Sequence, residues 1–254
     1  MKLFCGHSGP VRSARCSPDG SKVLTTSEDE SCRLWDTDSQ ECRLMLIGHT
    51  DKVSSGCFSS DGLLIATGAF DQTVRIWDVQ TGSCCSVLVQ SGSVYCVAFS
   101  PCGRLLAAGT NQHCVHLWDL SRELCRKRLI PHRGTVRSVQ FAPGGDILVS
   151  ASFDGCIRLW EISSGTCIQE LLGHSRAVVA VSFSPDGALL ASGSADTSVR
   201  IWSISGGRCL QSLVGSSEAA VVSVAFSQEG RQVAAGAVDG RISIWRVETG
   251  TCCF

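Results

Sequence analysis

No block of five like charges occurs in the 254 residues, and 22 basic against 23 acidic side chains leave a formal net charge of −1. That excludes the electrostatic footprint of a nucleic-acid binder or of a protein lying on an anionic membrane. No apolar run approaches the roughly eighteen residues of a membrane span, and MKLFCGHSG lacks the long apolar core of a secretory signal. The chain is expected to be soluble and not secreted, cytoplasmic and also nuclear. None of the sixteen cysteines stands in C-x-x-C spacing, so neither a zinc site nor any other cofactor is expected. Phosphate-binding loops leading from a strand into a helix are also missing, and no segment has helical periodicity. Nucleotide chemistry has no support. The length suffices for one large all-β domain or two average ones.

What is present is a repeat. The six tryptophans, Trp35, Trp77, Trp118, Trp160, Trp202 and Trp245, follow one another at 42, 41, 42, 42 and 43 residues, in the range that marks solenoids, propellers or arrays. An aspartate stands six residues before five of them, at Asp29, Asp71, Asp154, Asp196 and Asp239, and Cys42, Cys84, Cys125, Cys167, Cys209 and Cys252 each stand seven after. These cysteines are expected one repeat apart in space, hence unpaired, and to act as small buried hydrophobes. Counting back 28 from each tryptophan gives His7, His49, Gln90, His132, His174 and Ser217, with a valine four residues later each time. Length variation is therefore expected after the tryptophan, in the connection between the third and fourth strands.

Each repeat reads as four short strands. In the fifth, VVAVSFS (178–184) leads through the Ser-Pro-Asp-Gly turn signal (184–187) into LLASGS (189–194), then SVRIW (198–202), with the alternation of half-buried strands. In the fourth repeat, CIQELLGH (167–174) follows SSG (163–165) as the last strand. One such sheet is too small to stand alone, and radial stacking buries its faces while leaving only short edges. With GH at 6–7, 48–49 and 173–174 and WD at 35–36, 77–78 and 118–119, the chain resembles the WD-repeat β-propellers over essentially its whole length. The resemblance implies an all-β fold of four-stranded antiparallel blades in a single domain, 1–254. Its repeats are expected at about 5–46, 47–87, 88–129, 130–171, 172–213 and 214–254, as a six-bladed ring or a shortened form of a seven-bladed one. Two segments, residues 2–4 and TCCF (251–254), compete for the fourth strand of the last blade.

Four repeats carry a set that invites a hydrolase reading: His7/Thr25/Asp29, His49/Thr67/Asp71, His132/Ser150/Asp154 and His174/Ser192/Asp196. Four copies of a catalytic triad in one chain argue against it. The resemblance implies instead that each set joins Trp35, Trp77, Trp160 or Trp202 in a buried structural tetrad. No catalytic residue is assigned, and the hydrolase reading is disfavoured. The third repeat has Gln90, Ala108 and Gln112 at these places, and the sixth has Ser217 and Ala235 but keeps Asp239. Both are expected to lack the network and to be less rigid. His113 and His116, placed on one strand at spacing three, would face opposite ways, which disfavours chelation.

If these polar sets are scaffold, function falls on side chains aimed outward from it. The resemblance implies that the upper face binds peptides through residues three and five after the histidine position and the one before the turn aspartate. Carried over, these are Pro10, Arg12 and Glu28; Lys52, Ser54 and Phe70; Ser93, Tyr95 and Asn111; Thr135, Arg137 and Phe153. The fifth and sixth repeats give Ala177, Val179, Ala195, Ala220, Val222 and Val238, an apolar stretch. Aromatic and arginine side chains are the usual hot-spot types, so Arg12, Phe70, Tyr95, Arg137 and Phe153 are the expected contacts, with Lys52 and Glu28 at the rim. The function implied is a non-catalytic scaffold or adaptor for protein or peptide partners, monomeric apart from those complexes. A substrate receptor of a ubiquitin ligase is the alternative, weakened because no tryptophan is followed by Asp-x-Arg.

Overall fold

The computed structural model describes residues 3–122, 124–130, 132–215 and 218–253. They form strands and turns, without a helix among the described residues. The chain divides into two compact halves, Met1–Arg128 and Leu129–Phe254. The first three repeats build the first half and the last three the second.

Each sheet is an antiparallel meander of consecutive strands. In the first, Val11–Cys16, Lys22–Ser27, Cys32–Asp36 and Cys42–Leu46 lie side by side in chain order. The turn between the first two strands follows from its residues: the Ser17 hydroxyl donates to Asp19 Oδ1 at 2.5 Å, and Gly20 takes φ +71°, a region that favours glycine. The same Ser/Asp pair closes the turns at Ser59/Asp61 and Ser184/Asp186. Second strands are the most buried, as in Leu64–Ala69 and Leu105–Thr110, because they have neighbours on both edges and both faces. Fourth strands are exposed sheet edges.

Within the first half, Leu24, Cys32, Leu34 and Leu46 of the first sheet pack on Val53, Ile65 and Trp77 of the second. Ala66, Val74, Ile76 and Leu88 repeat that contact against Val94, Val97 and Leu106 of the third. Within the second half, the fourth, fifth and sixth sheets use the same positions, with Val178 and Val181 against Ile157 and Leu159, then Val221 and Val224 against Val199 and Ile201. Fully burying one such aliphatic side chain contributes about 1.5–3 kcal/mol, so the stack of sheets holds each half together.

Several sequence expectations change. Cys32 faces Leu46, Val74 faces Leu88, Ile157 faces Leu171 and Val199 faces Leu213, each pair fourteen residues apart. The third-to-fourth-strand connection is thus constant, and the length differences fall between that leucine and the next histidine position. A turn inside a sheet must keep register, whereas the link to the next sheet need not. The repeat cysteines are not buried hydrophobes: Cys42, Cys84, Cys125, Cys167 and Cys252 are exposed and Cys209 half-buried, because they sit on edge strands. His113 lies in a turn at φ +62° rather than on a strand; only His116 belongs to Val115–Asp119. Of the two segments competing in the sixth sheet, Cys252 bridges Trp245. Lys2 lies outside the described residues, while Leu3 N donates to Gln40 Oε1 and Phe4 stacks on Trp35, both in the first sheet.

Candidate interaction surface and the networks beneath it

Each of the four polar sets comes together with its tryptophan. In the second sheet, Trp77 Nε1 donates to Thr67 Oγ1 at 2.8 Å, the Thr67 hydroxyl donates to His49 Nε2 at 2.8 Å, and His49 Nδ1 donates to Asp71 Oδ2 at 2.8 Å. This order of donors is the one that leaves no ring nitrogen or hydroxyl without a role. In the first sheet, Thr25 Oγ1 lies 2.8 Å from both Trp35 Nε1 and His7 Nε2, and His7 Nδ1 lies 2.9 Å from Asp29 Oδ2. In the fourth, Ser150 Oγ lies 2.8 Å from Trp160 Nε1 and 2.7 Å from His132 Nε2, with Asp154 Oδ2 2.9 Å from His132 Nδ1. In the fifth, Ser192 Oγ lies 2.8 Å from Trp202 Nε1 and 2.7 Å from His174 Nε2, with Asp196 Oδ2 2.8 Å from His174 Nδ1. Thr25, Thr67, Ser150 and Ser192 are all buried, each on a second strand that has neighbours on both sides. What sets these hydroxyls apart from those of a catalytic triad is that each is buried and also accepts from an indole N–H. The geometry is that of a strut between the turn and the sheet.

A fifth member escaped the sequence reading. Two residues after the aspartate, Ser31, Thr73 and Ser198 donate both N–H and hydroxyl to its other oxygen, the hydroxyl at 2.7 Å each time. Asp-x-Ser/Thr in a turn was the available signal. Burial works to raise the carboxyls of Asp29, Asp71 and Asp196, yet these bonds together with the histidine outweigh it and hold all three below the ordinary range. Burial lowers His49 and His174, against the opposing pull of Asp71 and Asp196.

In three sheets the glycine before the histidine lies against an arginine of the third strand. A Cβ on Gly6, Gly48 or Gly173 would stand 2.3, 2.9 or 2.6 Å from Nη1 of Arg33, Arg75 or Arg200. In the third sheet both partners change together, to Val89 and His116. That sheet is not bare, contrary to expectation. Gln90 Oε1 accepts from Trp118 Nε1 at 3.3 Å and from His116 Nδ1, while Gln90 Nε2 donates to Leu88 O at 3.3 Å. Losing one histidine left room for another, entering from the neighbouring strand. In the sixth repeat Ser217 lies outside the described residues.

Above these networks, the first and second strands of every sheet slip register by one residue. The register shifts at Arg12, Ser54, Tyr95, Arg137, Val179 and Val222, the positions five after the histidine place. Such a bulge re-aims a side chain. Next to it, the backbone N–H of Glu28, Phe70, Asn111, Phe153, Ala195 and Val238 donates to Pro10, Lys52, Ser93, Thr135, Ala177 and Ala220. The three positions singled out in each repeat are therefore neighbours in space.

In the first half they form one continuous strip. Arg12 Nη2 and Lys52 Nζ reach the two oxygens of Glu28 at 2.8 and 2.7 Å; the Lys52 bond holds that carboxyl below its ordinary range. Glu28 is thus an internal counter-ion to two cations. Lys52 O accepts from Phe70 N at 2.9 Å, and Phe70 stacks on Tyr95 with centroids 4.8 Å apart at 44°. Ser93 Oγ donates to Phe70 O, whereas Ser54 Oγ turns inward to Gly68 O and Val94 O. In the second half, the Arg137 guanidinium lies over the Phe153 ring at 5.9 Å, and Phe153 is 49% exposed. Val222 and Val238 are exposed. Among the described residues no group of three His, Cys, Asp or Glu side chains is arranged to hold a metal ion.

A family model described as "WD domain, G-beta repeat" matches residues 1–36, 40–78, 82–119, 123–161, 165–203 and 207–246. From the second on, each window opens on the fourth strand of one sheet and closes on the third strand of the next. Among curated proteins, WD repeat-containing protein 18 of Bos taurus and of Mus musculus are each 49% identical over 41 residues, and that of Homo sapiens 46%. That stretch is 16% of this chain and only 10% of each relative, about one repeat. With six matched windows covering most of its length, six antiparallel sheets and the repeated His–Ser/Thr–Asp–Trp network, the chain belongs to the WD-repeat family of β-propellers.

Proposed function

We propose that this protein is a non-catalytic scaffold that binds protein or peptide partners through Arg12, Lys52, Phe70 and Tyr95 in its first half and Arg137 and Phe153 in its second. The continuous strip from Arg12 through Glu28, Lys52 and Phe70 to Tyr95 carries this reading. It places two cations beside two stacked aromatic rings on bulged backbone. Aromatic and arginine anchors on a rigid frame lose little entropy on binding and dominate interface energetics. The hydroxyls and histidines that suggested hydrolysis are consumed by structural bonds. Partners identified by proximity labelling and mass spectrometry are expected to be lost on Phe70→Ala or Phe153→Ala substitution. An unchanged partner profile in both variants would overturn the assignment.

A further inference from the structure

The third sheet holds a side-chain cluster found in none of the four tetrad sheets. Cys114 stands at the position that Ser31, Thr73 and Ser198 occupy elsewhere, two residues after the turn aspartate, but here the aspartate is replaced by Gln112. With that carboxylate gone, hydrogen-bonding groups surround the sulfur instead. His116 Nε2 lies 3.5 Å from Sγ, Arg128 Nε 3.4 Å and Thr110 Oγ1 3.5 Å. His116 is oriented by Gln90 through Nδ1, and Ser91 Oγ stands 3.3 Å from its Nε2. A sulfur facing an imidazole, a guanidinium and a hydroxyl sits where a negative charge is stabilised.

We infer that Cys114 is held as a thiolate by His116 and Arg128, replacing the missing carboxylate, and that it is a site of oxidation by hydroperoxides. Burial opposes ionisation, but the bonds from His116, Thr110 and Arg128 outweigh it and bring the thiol down to about 7. Cys156 occupies the same register position in the fourth sheet, and there burial pushes the thiol up, helped by the Asp154 charge. Cys114 is buried, yet Arg128, whose guanidinium reaches the sulfur, is exposed. The thiol therefore lies one flexible side chain from solvent, and hydrogen peroxide is little larger than water.

The chemistry balances within the cluster. The Cys114 proton passes to His116 Nε2, and the thiolate sulfur attacks one oxygen of hydrogen peroxide. An S–O bond forms as the O–O bond breaks. Sulfur loses two electrons to the peroxide, and the departing hydroxide takes the proton from the His116 imidazolium. The products are a sulfenic acid, water and neutral histidine.

The test is to treat the full chain with substoichiometric hydrogen peroxide, trap sulfenic acids with dimedone, alkylate the remaining thiols and map adducts by mass spectrometry. The inference expects a dimedone adduct on Cys114 several-fold above those on the more accessible Cys84 and Cys156. Arg128→Gln, a change at an exposed side chain, should cut the Cys114 adduct several-fold without altering the circular dichroism spectrum. Adducts that follow exposure and spare Cys114, or a Cys114 adduct unchanged by Arg128→Gln, would overturn it.

Discussion

At the scale of single residues, the deciding observation is that each tetrad hydroxyl is spent twice. Thr67 accepts from Trp77 and donates to His49, both at 2.8 Å, and Thr25, Ser150 and Ser192 are placed between their own tryptophan and histidine in the same way. Replacing Thr67 with valine keeps the shape and removes both partners at once. Leaving a buried polar group unsatisfied costs about 1–3 kcal/mol, so Thr67→Val is expected to lower stability by about 2–4 kcal/mol in urea denaturation. A scaffold reading requires that loss; a hydrolase would lose turnover with its stability intact. The pH dependence follows from the same atoms. The carboxyls of Asp71 and Asp196 and the imidazoles of His49 and His174 are all held below their ordinary values, so the folded state binds fewer protons than the unfolded one. Their contribution is complete above about pH 6.5, the free histidine value. It is lost as pH falls, through the histidines first and the carboxylates next. The urea midpoint should drop between pH 7 and pH 5; a midpoint that rose on acidification would contradict this. Histidine and aspartate positions were legible in the sequence because they recur at fixed distance from tryptophan. The His116 network was not, because it depends on Gln90, Val89 and His116 changing together, which no single position reveals.

At the scale of elements, the sheets are joined by the same aliphatic contacts in both halves, and two glycines mark how close they come. A Cβ on Gly68 would stand 2.5 Å from Val94 and 2.9 Å from Val97, both buried in the contact between the second and third sheets. Gly236, at the same register position in the sixth sheet, has nothing within 4 Å. Overpacking a filled core typically costs about 1–3 kcal/mol. Gly68→Ala should therefore destabilise by that much, while Gly236→Ala should change the urea midpoint little. Equal effects would mean that the stacking of sheets is looser than the side chains indicate. Strand order and turn positions could be read from the alternation and the Ser-Pro-Asp-Gly signals, as at Leu189–Ser194. The fixed fourteen-residue pairing of the third and fourth strands was missed, since tryptophan spacing alone cannot say on which side of the leucine a residue has been gained or lost.

At the scale of the whole molecule, a repeat that spends its polar side chains on its own frame leaves recognition to the residues that differ between repeats. The bulge at Arg12, Ser54, Tyr95, Arg137, Val179 and Val222 gives every sheet one outlying position at the same register, filled by arginine, serine, tyrosine or valine. The sequence placed these residues by resemblance alone; the register slip supplies the physical cause. Their proposed roles in binding rest on a contrast between neighbours in the chain. Thr67 and Asp71 belong to the frame, and Phe70, one residue from Asp71, belongs to the strip with Tyr95. The most direct measurement is quantitative partner capture with Phe70→Ala and Phe153→Ala, each matched by its urea midpoint to the unmodified chain. The account predicts that midpoints change by no more than about 1 kcal/mol, as for a change outside the packed core, while captured partners fall several-fold. Partners retained in full by both variants, at unchanged stability, would contradict it.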